Sequence, residues 1–291
     1  MPTLAVIRKR IKTVGSTVKI TKAMKMIAAV KLRKTQQQAI SARAYSRKIE
    51  EMVHEITSRI DTTVHPLMRR PARTKRGVII LATSDRGLCG GFNSNVTRHA
   101  VQAIMDAKKD DIGLDFITVG RKGRDSLKRF GITPKIDLSG SSGSPDYGQV
   151  IEIANIVING FADGTYDEVS FIYNRFVSVL SQKPTVETVL PLNRSEASEV
   201  KDETADVKVI YEPSLGEILS SLLPRMIESR IYHTLIESAA SEHAARMTSM
   251  DSATNNAKDM IDHLTLVMNR ARQSAITKEL MDIVNGAEAM R

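Results

Sequence analysis

The sequence holds one cysteine, no tryptophan, six phenylalanines and six tyrosines in 291 residues. With Cys89 alone, neither an internal disulfide nor a cysteine-cluster metal site can form, which points to a reducing compartment. No apolar run approaches the roughly 20 residues needed to span a bilayer, and no hydrophobic signal-peptide core is present. Helix breakers are missing over two long stretches. Between Thr3 and Thr63 the only one is Gly15, and between Pro224 and Gly286 there is neither proline nor glycine. Acidic residues are missing from the start of the chain, where the first is Glu50. Few aromatics beside 13 methionines suit long helices with adaptable apolar surface.

The two breaker-poor stretches predict two long helices. Leu215 to Ala289 would extend roughly 100–110 Å as continuous helix, several times the usual length of about 11–12 residues. Within it Ala253, Ala257, Met260, Leu264, Val267, Ala271 and Ser274 alternate steps of four and three, the spacing of a coiled-coil seam. Leu219, Leu222, Met226 and the Ala239–Ala240 pair extend an apolar face, and Tyr232 is the last aromatic residue. The expectation is a slim rod rather than a core helix. At the other end Ile7, Ile11, Val14 and Val18 step in the same way, continued by Met24, Ile27, Ala28 and Leu32. Two such helices at opposite termini pair most simply as an antiparallel coiled coil.

Between them the pattern changes. His65 to Pro71 is a breaker and Arg69 to Arg76 a basic linker. Strands are expected at 77–83, 115–119, 169–177, 185–192 and 207–211, and helices at 95–109, 121–130 and 145–161. Ser139 to Ser144 reads as a Gly/Ser connection and Arg194 to Asp206 as an acidic loop. Alternating strands and helices imply an open sheet covered by helices. The fold class is therefore α/β: a long antiparallel coiled coil of the N- and C-terminal helices plus a central open, Rossmann-like α/β domain. The divisions fall at 1–63 (N-terminal helix), 64–76 (linker), 77–211 (α/β domain) and 212–291 (C-terminal helix).

Chemistry is hard to find. Ser84 to Asn93, SDRGLCGGFN, is a glycine-rich turn between a strand and a helix, a context that invites phosphate. It lacks the GxxxxGK[ST] lysine, the GxGxxG spacing and an acidic residue about 20 positions on, so a structural or partner-contact turn is expected. Cys89 has only His99 near it in sequence as a base, and a packed thiol is the plainer reading. His233, His243 and His263 spread along one helix, without the clustering a metal needs. No cofactor, metal or active site is expected. Residues 1–60 carry fourteen Lys/Arg against Glu50, Glu51 and Glu55, a surplus exceeding the +9 of the whole chain. An acid-free basic start also has the character of a mitochondrial transit peptide, but the helical pattern continues unbroken past residue 50. A solvated face would mix in acids, and a nucleic-acid stripe would bring stacking aromatics. A surface for acidic protein partners fits best, with a nucleic-acid-binding or scaffold coiled coil as the alternative.

Four segments carry a resemblance: Ile20 to Met26 (ITKAMKM), the Ser84–Asn93 turn, Ala240 to Met247 (ASEHAARM), and Arg272 to Leu280 (RQSAITKEL) with Ile283 to Ala287. In sequence and order they are similar to the gamma subunit of F-type ATP synthases. The likeness is specific at both ends and at the turn, and rests only on the α/β pattern from about Met105 to Asp206. It implies a rotor shaft without an active site, turning inside a ring of alpha and beta subunits to couple proton flow to ATP synthesis and hydrolysis, with one copy per complex. It further implies beta-subunit contacts at Lys22, Met24, Lys25, Arg86, Arg272, Gln273, Thr277 and Glu279. Foot contacts to the epsilon subunit and the c-ring are implied at Tyr211 and Glu212. The implied location is peripheral, on the cytoplasmic face of a bacterial plasma membrane, with no nucleic-acid partner. Two departures stand out. Gly15-Ser16-Thr17 replaces the family's usual Lys/Asn-Thr run, and the lone Cys89 excludes the dithiol control of chloroplast members.

Overall fold

The computed structural model describes residues 3–59, 65–140, 145–192, 212 and 214–288. Two helices bracket the chain, α1 (Leu4–Arg59) and α5 (Leu215–Glu288). They contribute to two compact units, one formed by residues 1–28 and 247–291 and the other by residues 29–246.

In the first unit the two helices pair antiparallel, because rising numbers on α1 meet falling numbers on α5. Thr21 Oγ1 lies 2.7 Å from Thr254 Oγ1, and Lys25 Nζ donates to Asp251 Oδ1 at 2.6 Å. On α1, Ile7 is buried and Ile11, Val14 and Val18 are half-buried, as their spacing predicts; Thr21, Lys25 and Ala28 continue the same four-three steps. On α5 the inward face runs through Met250, Thr254 and Ala257 to the half-buried Ile261 and Leu264. This corrects the expected inward faces at three positions. Met260 is 53% exposed, Ser274 is exposed, and on α1 Ile27 is 59% exposed. The cause is polar: Thr254 occupies the seam because its hydroxyl donates to Met250 O and its oxygen accepts from the Thr21 hydroxyl. Hydroxyl groups satisfied in this way can be buried, and a hydrophobic pattern does not register them.

In the second unit a five-stranded sheet is ordered β3-β2-β1-β4-β5. The strands are β1 (Arg76–Ala82), β2 (Gly113–Val119), β3 (Ile136–Leu138), β4 (Glu168–Phe176) and β5 (Gln182–Leu190). All neighbours are parallel except β4 and β5, which form an antiparallel hairpin. The parallel connections are made by α2 (Phe92–Lys109), α3 (Arg121–Arg129) and α4 (Tyr147–Ala162). Each element lies where the sequence reading placed one, within a few residues. The exception is the three-residue β3, too short to leave a pattern. The expected strand at 207–211 lies outside the described residues.

Alternation along β1 separates the two faces of the sheet. Ile79 and Leu81 pack with Val96, Ala100 and Leu127 of α2 and α3. Val78, Ile80 and Ala82 pack with Val150, Ile153 and Val157 of α4, and with Ile49, Val53 and Ile56 of α1. Leu219, Leu223, Ile227, Ile231 and Leu235 of α5 join this second core. The beginning of α5 is thus a core helix, which corrects the expectation of a slim rod there. Small polar pairs continue between the long helices, with Ser46 Oγ 2.5 Å from Ser229 Oγ. The basic linker is docked rather than loose. The Arg69 guanidinium lies over the Phe161 ring, donates to Phe161 O and Tyr166 O, and pairs with Asp167 at 3.3 Å. Backbone amides of Lys75 and Arg76, then Arg69, hold the Asp167 carboxyl below its ordinary range.

Candidate functional surfaces

The glycine-rich turn follows β1 at the carboxyl end of the sheet, where open α/β folds commonly bind ligands. Its one carboxylate reaches across to neighbouring loops of the sheet. Asp85 Oδ1 accepts from Arg121 N, the first residue of α3, at 3.1 Å, and the same carboxylate accepts from Gly140 N. Gly120 stands beside it at φ +97, where an added Cβ would collide with the Thr83 carbonyl. Thr83 Oγ1 in turn accepts from Gly123 N at 2.7 Å. An internal carboxylate therefore caps the N-terminus of α3, whereas α2, the helix that follows the turn, starts at Gly91 without a side-chain cap.

The rest of the turn is fastened from two sides. Ser84 N donates to Asn93 Oδ1 at 3.0 Å, Asn93 Nδ2 donates to Ser84 Oγ at 2.7 Å, and Ser84 Oγ donates to Arg86 O at 2.6 Å. Cys89 is buried with Phe92 and Ala245, and burial pushes its thiol up from its ordinary value. It is a packing residue, as its sequence context suggested. From α5, Arg246 donates to the carbonyls of Arg86 and Gly87 at 3.2 and 3.5 Å, while its other nitrogen pairs with Glu242 at 2.7 Å. Glu242 is 8% exposed; burial raises its carboxyl, and Arg246 pulls it back. This clamp orders the backbone of residues 86 and 87 and leaves the Arg86 side chain and Leu88 exposed. Leu88 and Gly90 both take left-handed conformations, at φ 65 and 55.

Asp85 and the Glu242–Arg246 pair were not singled out as site residues from sequence. The available signals were the acid inside SDRG and the i,i+4 spacing of Glu242 and Arg246 on a helix.

The remaining expected contact residues fall into two groups. In the first unit Lys22 is exposed, Met24 is half-buried and Lys25 is engaged with Asp251. Arg272, Gln273, Thr277 and Glu279 are all exposed, and Thr277 Oγ1 donates back to Gln273 O. In the second unit Arg86 and Glu212 are exposed. Tyr211 lies outside the described residues. Among the described residues no group of three His, Cys, Asp or Glu could hold a metal ion. No described helix is long and apolar enough to cross a membrane.

A pair of long terminal helices with an α/β sheet between them in sequence, and exposed charged and apolar residues on both, describe a chain built around extended surfaces. The family described as ATP synthase matches residues 3–290. The ATP synthase gamma chain of Pelotomaculum thermopropionicum is 46% identical over 292 residues, covering 100% of both chains. That of Desulfitobacterium hafniense is 44% identical over 285 residues, covering 98% of each. Among solved structures, a chain of the Tetrahymena thermophila mitochondrial ATP synthase central stalk and c-ring is 26% identical with a TM-score of 0.61, over 80% of this chain and 99% of that one. A chain of the Euglena gracilis mitochondrial ATP synthase agrees in fold, with a TM-score of 0.65 at 20% identity over 98% of this chain and 95% of its own. The chain belongs to the ATP synthase gamma-chain family. It is a non-catalytic subunit, the central rotor shaft of an F-type ATP synthase.

Proposed function

We propose that this shaft works through two sets of beta-subunit contacts and one foot. The first set is Lys22, Met24 and Lys25 on α1 with Arg86 on the clamped turn, meeting acidic segments of the beta subunits. The second is Arg272, Gln273, Thr277 and Glu279 near the end of α5. Glu212 and Tyr211 form the foot toward the epsilon subunit and the c-ring. One copy turns inside the alpha/beta ring at the cytoplasmic face of a bacterial plasma membrane, and proton flow drives the rotation. Coupling is then a difference in contact energy between the shaft and successive beta subunits, each biased toward a different conformation.

The observation that carries this reading is the end of α5. Ile276, Leu280, Ile283 and Val284 recur at helical spacing and are 50–68% exposed. An apolar helical face of that extent marks a protein-interaction surface. The exposed polar residues Arg272, Gln273, Thr277 and Glu279 lie among them. An apolar collar around this helix end would bury the stripe while leaving few fixed polar bonds to resist turning. The test is Leu280→Glu with Ile283→Glu in the assembled complex. Two carboxylates forced against an apolar collar should prevent stable assembly or cut ATP-driven proton pumping at least about tenfold, a loss that only ~1.4 kcal/mol would produce. Unchanged assembly and pumping would refute an apolar seat for this segment.

A further inference from the structure

A cleft in the second unit plays no part in the contacts proposed above. It has a volume of about 540 Å³ and opens between α1, β5 and α5, within the size range of small-molecule sites. Val53, Met68, Leu192 and Met226 supply apolar wall. Among the described residues its charged lining is Arg43, Arg47, Arg175 and Arg230 against Glu50 and Glu187. That is a surplus of two positive charges.

The guanidinium groups are not equally engaged. Arg230 Nε is 3.1 Å from Glu187 Oε1, and Arg47 Nε donates to Glu51 at 3.0 Å. Arg175 has its nearest carboxylate, Glu237, at 3.9 Å, beyond hydrogen-bond reach. Arg43 is exposed and makes no hydrogen bond or close ion pair among the described residues, although its charge, with that of Arg175, acts on the Glu237 carboxyl. Between these groups lies His233, whose buried Nε2 has no hydrogen-bond partner. Burial, then the charge of Arg43, holds this imidazole below its ordinary value; Arg175 acts in the same sense and Glu187 against it. His54 and Glu50 complete the titratable lining.

We propose that this cleft binds a small molecule with a phosphate-like dianionic head, seated between Arg43 and Arg175 beside the His233 ring. The ligand's apolar body lies against Val53, Met68 and Met226. Two exposed guanidinium groups, one with only a long ion pair and one with none, match the charge and the multiple acceptors of such a head. A dianion there favours the imidazolium form of His233, so binding takes up a proton and tightens as pH falls.

The test is a sulfate titration of the full-length chain, read from the His233 resonance with isotope-labelled histidine. Sulfate remains a dianion throughout the range in which histidine titrates, so the pH dependence reports the protein. The expected result is a saturable shift with the His233 pKa moving up, absent with chloride at matched ionic strength. Arg43→Gln, at an exposed position, should weaken binding about tenfold or more, while Lys48→Gln leaves it unchanged. Phenyl phosphate should bind more tightly than sulfate. Absence of a saturable shift, or an equal response in Arg43→Gln, would overturn the site. Equal affinity for sulfate and phenyl phosphate would overturn the apolar half of it.

Discussion

Replacing Arg246 by methionine keeps the helix and most of the side-chain volume but removes the charge that joins α5 to the turn. Both partners of its ion pair are nearly buried, with side chains 13% and 10% exposed. Breaking such a pair from one side strands the remaining charge, at a cost of about 3–5 kcal/mol. The hydrogen bonds to Arg86 O and Gly87 O are lost as well. Urea unfolding of the full-length chain measures the total, and hydrogen exchange at residues 84–91 measures where it falls. Protection in the turn should drop more than in β1.

The pH dependence has a definite sign. Arg246 is the leading influence opposing the burial-raised carboxyl of Glu242, so its removal lifts that group further above its unfolded value. The folded state then binds more protons than the unfolded one, and stability falls as pH rises. The deficit of Arg246→Met should be larger in mildly alkaline than in mildly acidic buffer. Adding Glu242→Gln removes the stranded charge, and the double-mutant cycle should return a coupling of about 1–3 kcal/mol. Additivity within about 0.5 kcal/mol would refute the clamp as an energetic unit.

Three further substitutions test other parts of the account. Gly120→Ala places a Cβ into the Thr83 carbonyl at a left-handed position and should cost on the order of 2–4 kcal/mol in urea unfolding. Thr254→Val removes the closer partner of the buried Thr21 hydroxyl, which keeps only its 3.2 Å bond to Val18 O, and should cost about 1 kcal/mol. Replacing both threonines by valine should restore most of that loss, since a matched apolar pair leaves nothing unsatisfied. Gly15→Ala lies in helix with open space around the position and should stabilise by about 0.5–1 kcal/mol, seen as a higher unfolding midpoint.

What the sequence made legible follows from which forces leave a periodic trace. Both long helices could be read from missing breakers, and Ile7, Ile11, Val14 and Val18 mark the inward face of α1 because burial there is apolar. Where burial is polar the trace fails. Thr21, Thr254, Ser46 and Ser229 sit inward through mutual hydroxyl bonds, so the α5 seam was drawn through Met260 instead of Ile261. The core role of Leu219 to Leu235 was hidden because their partners, Val78, Ile80 and Val157 among them, lie far away in sequence. At the turn the glycines were conspicuous, but Asp85 acts on Arg121 and Gly140, a relation only the folded sheet creates.

The most direct measurement of the central claim is rotation. Cys89 is the lone cysteine and is buried, so Lys108→Cys on the exposed end of α2 gives one site for a visible probe. The alpha/beta ring of the assembled complex is fixed to a surface and the probe is followed during ATP hydrolysis. The account predicts unidirectional turning of the probe that stops when hydrolysis stops. A probe that stays still while the complex hydrolyses ATP at its full rate would contradict it.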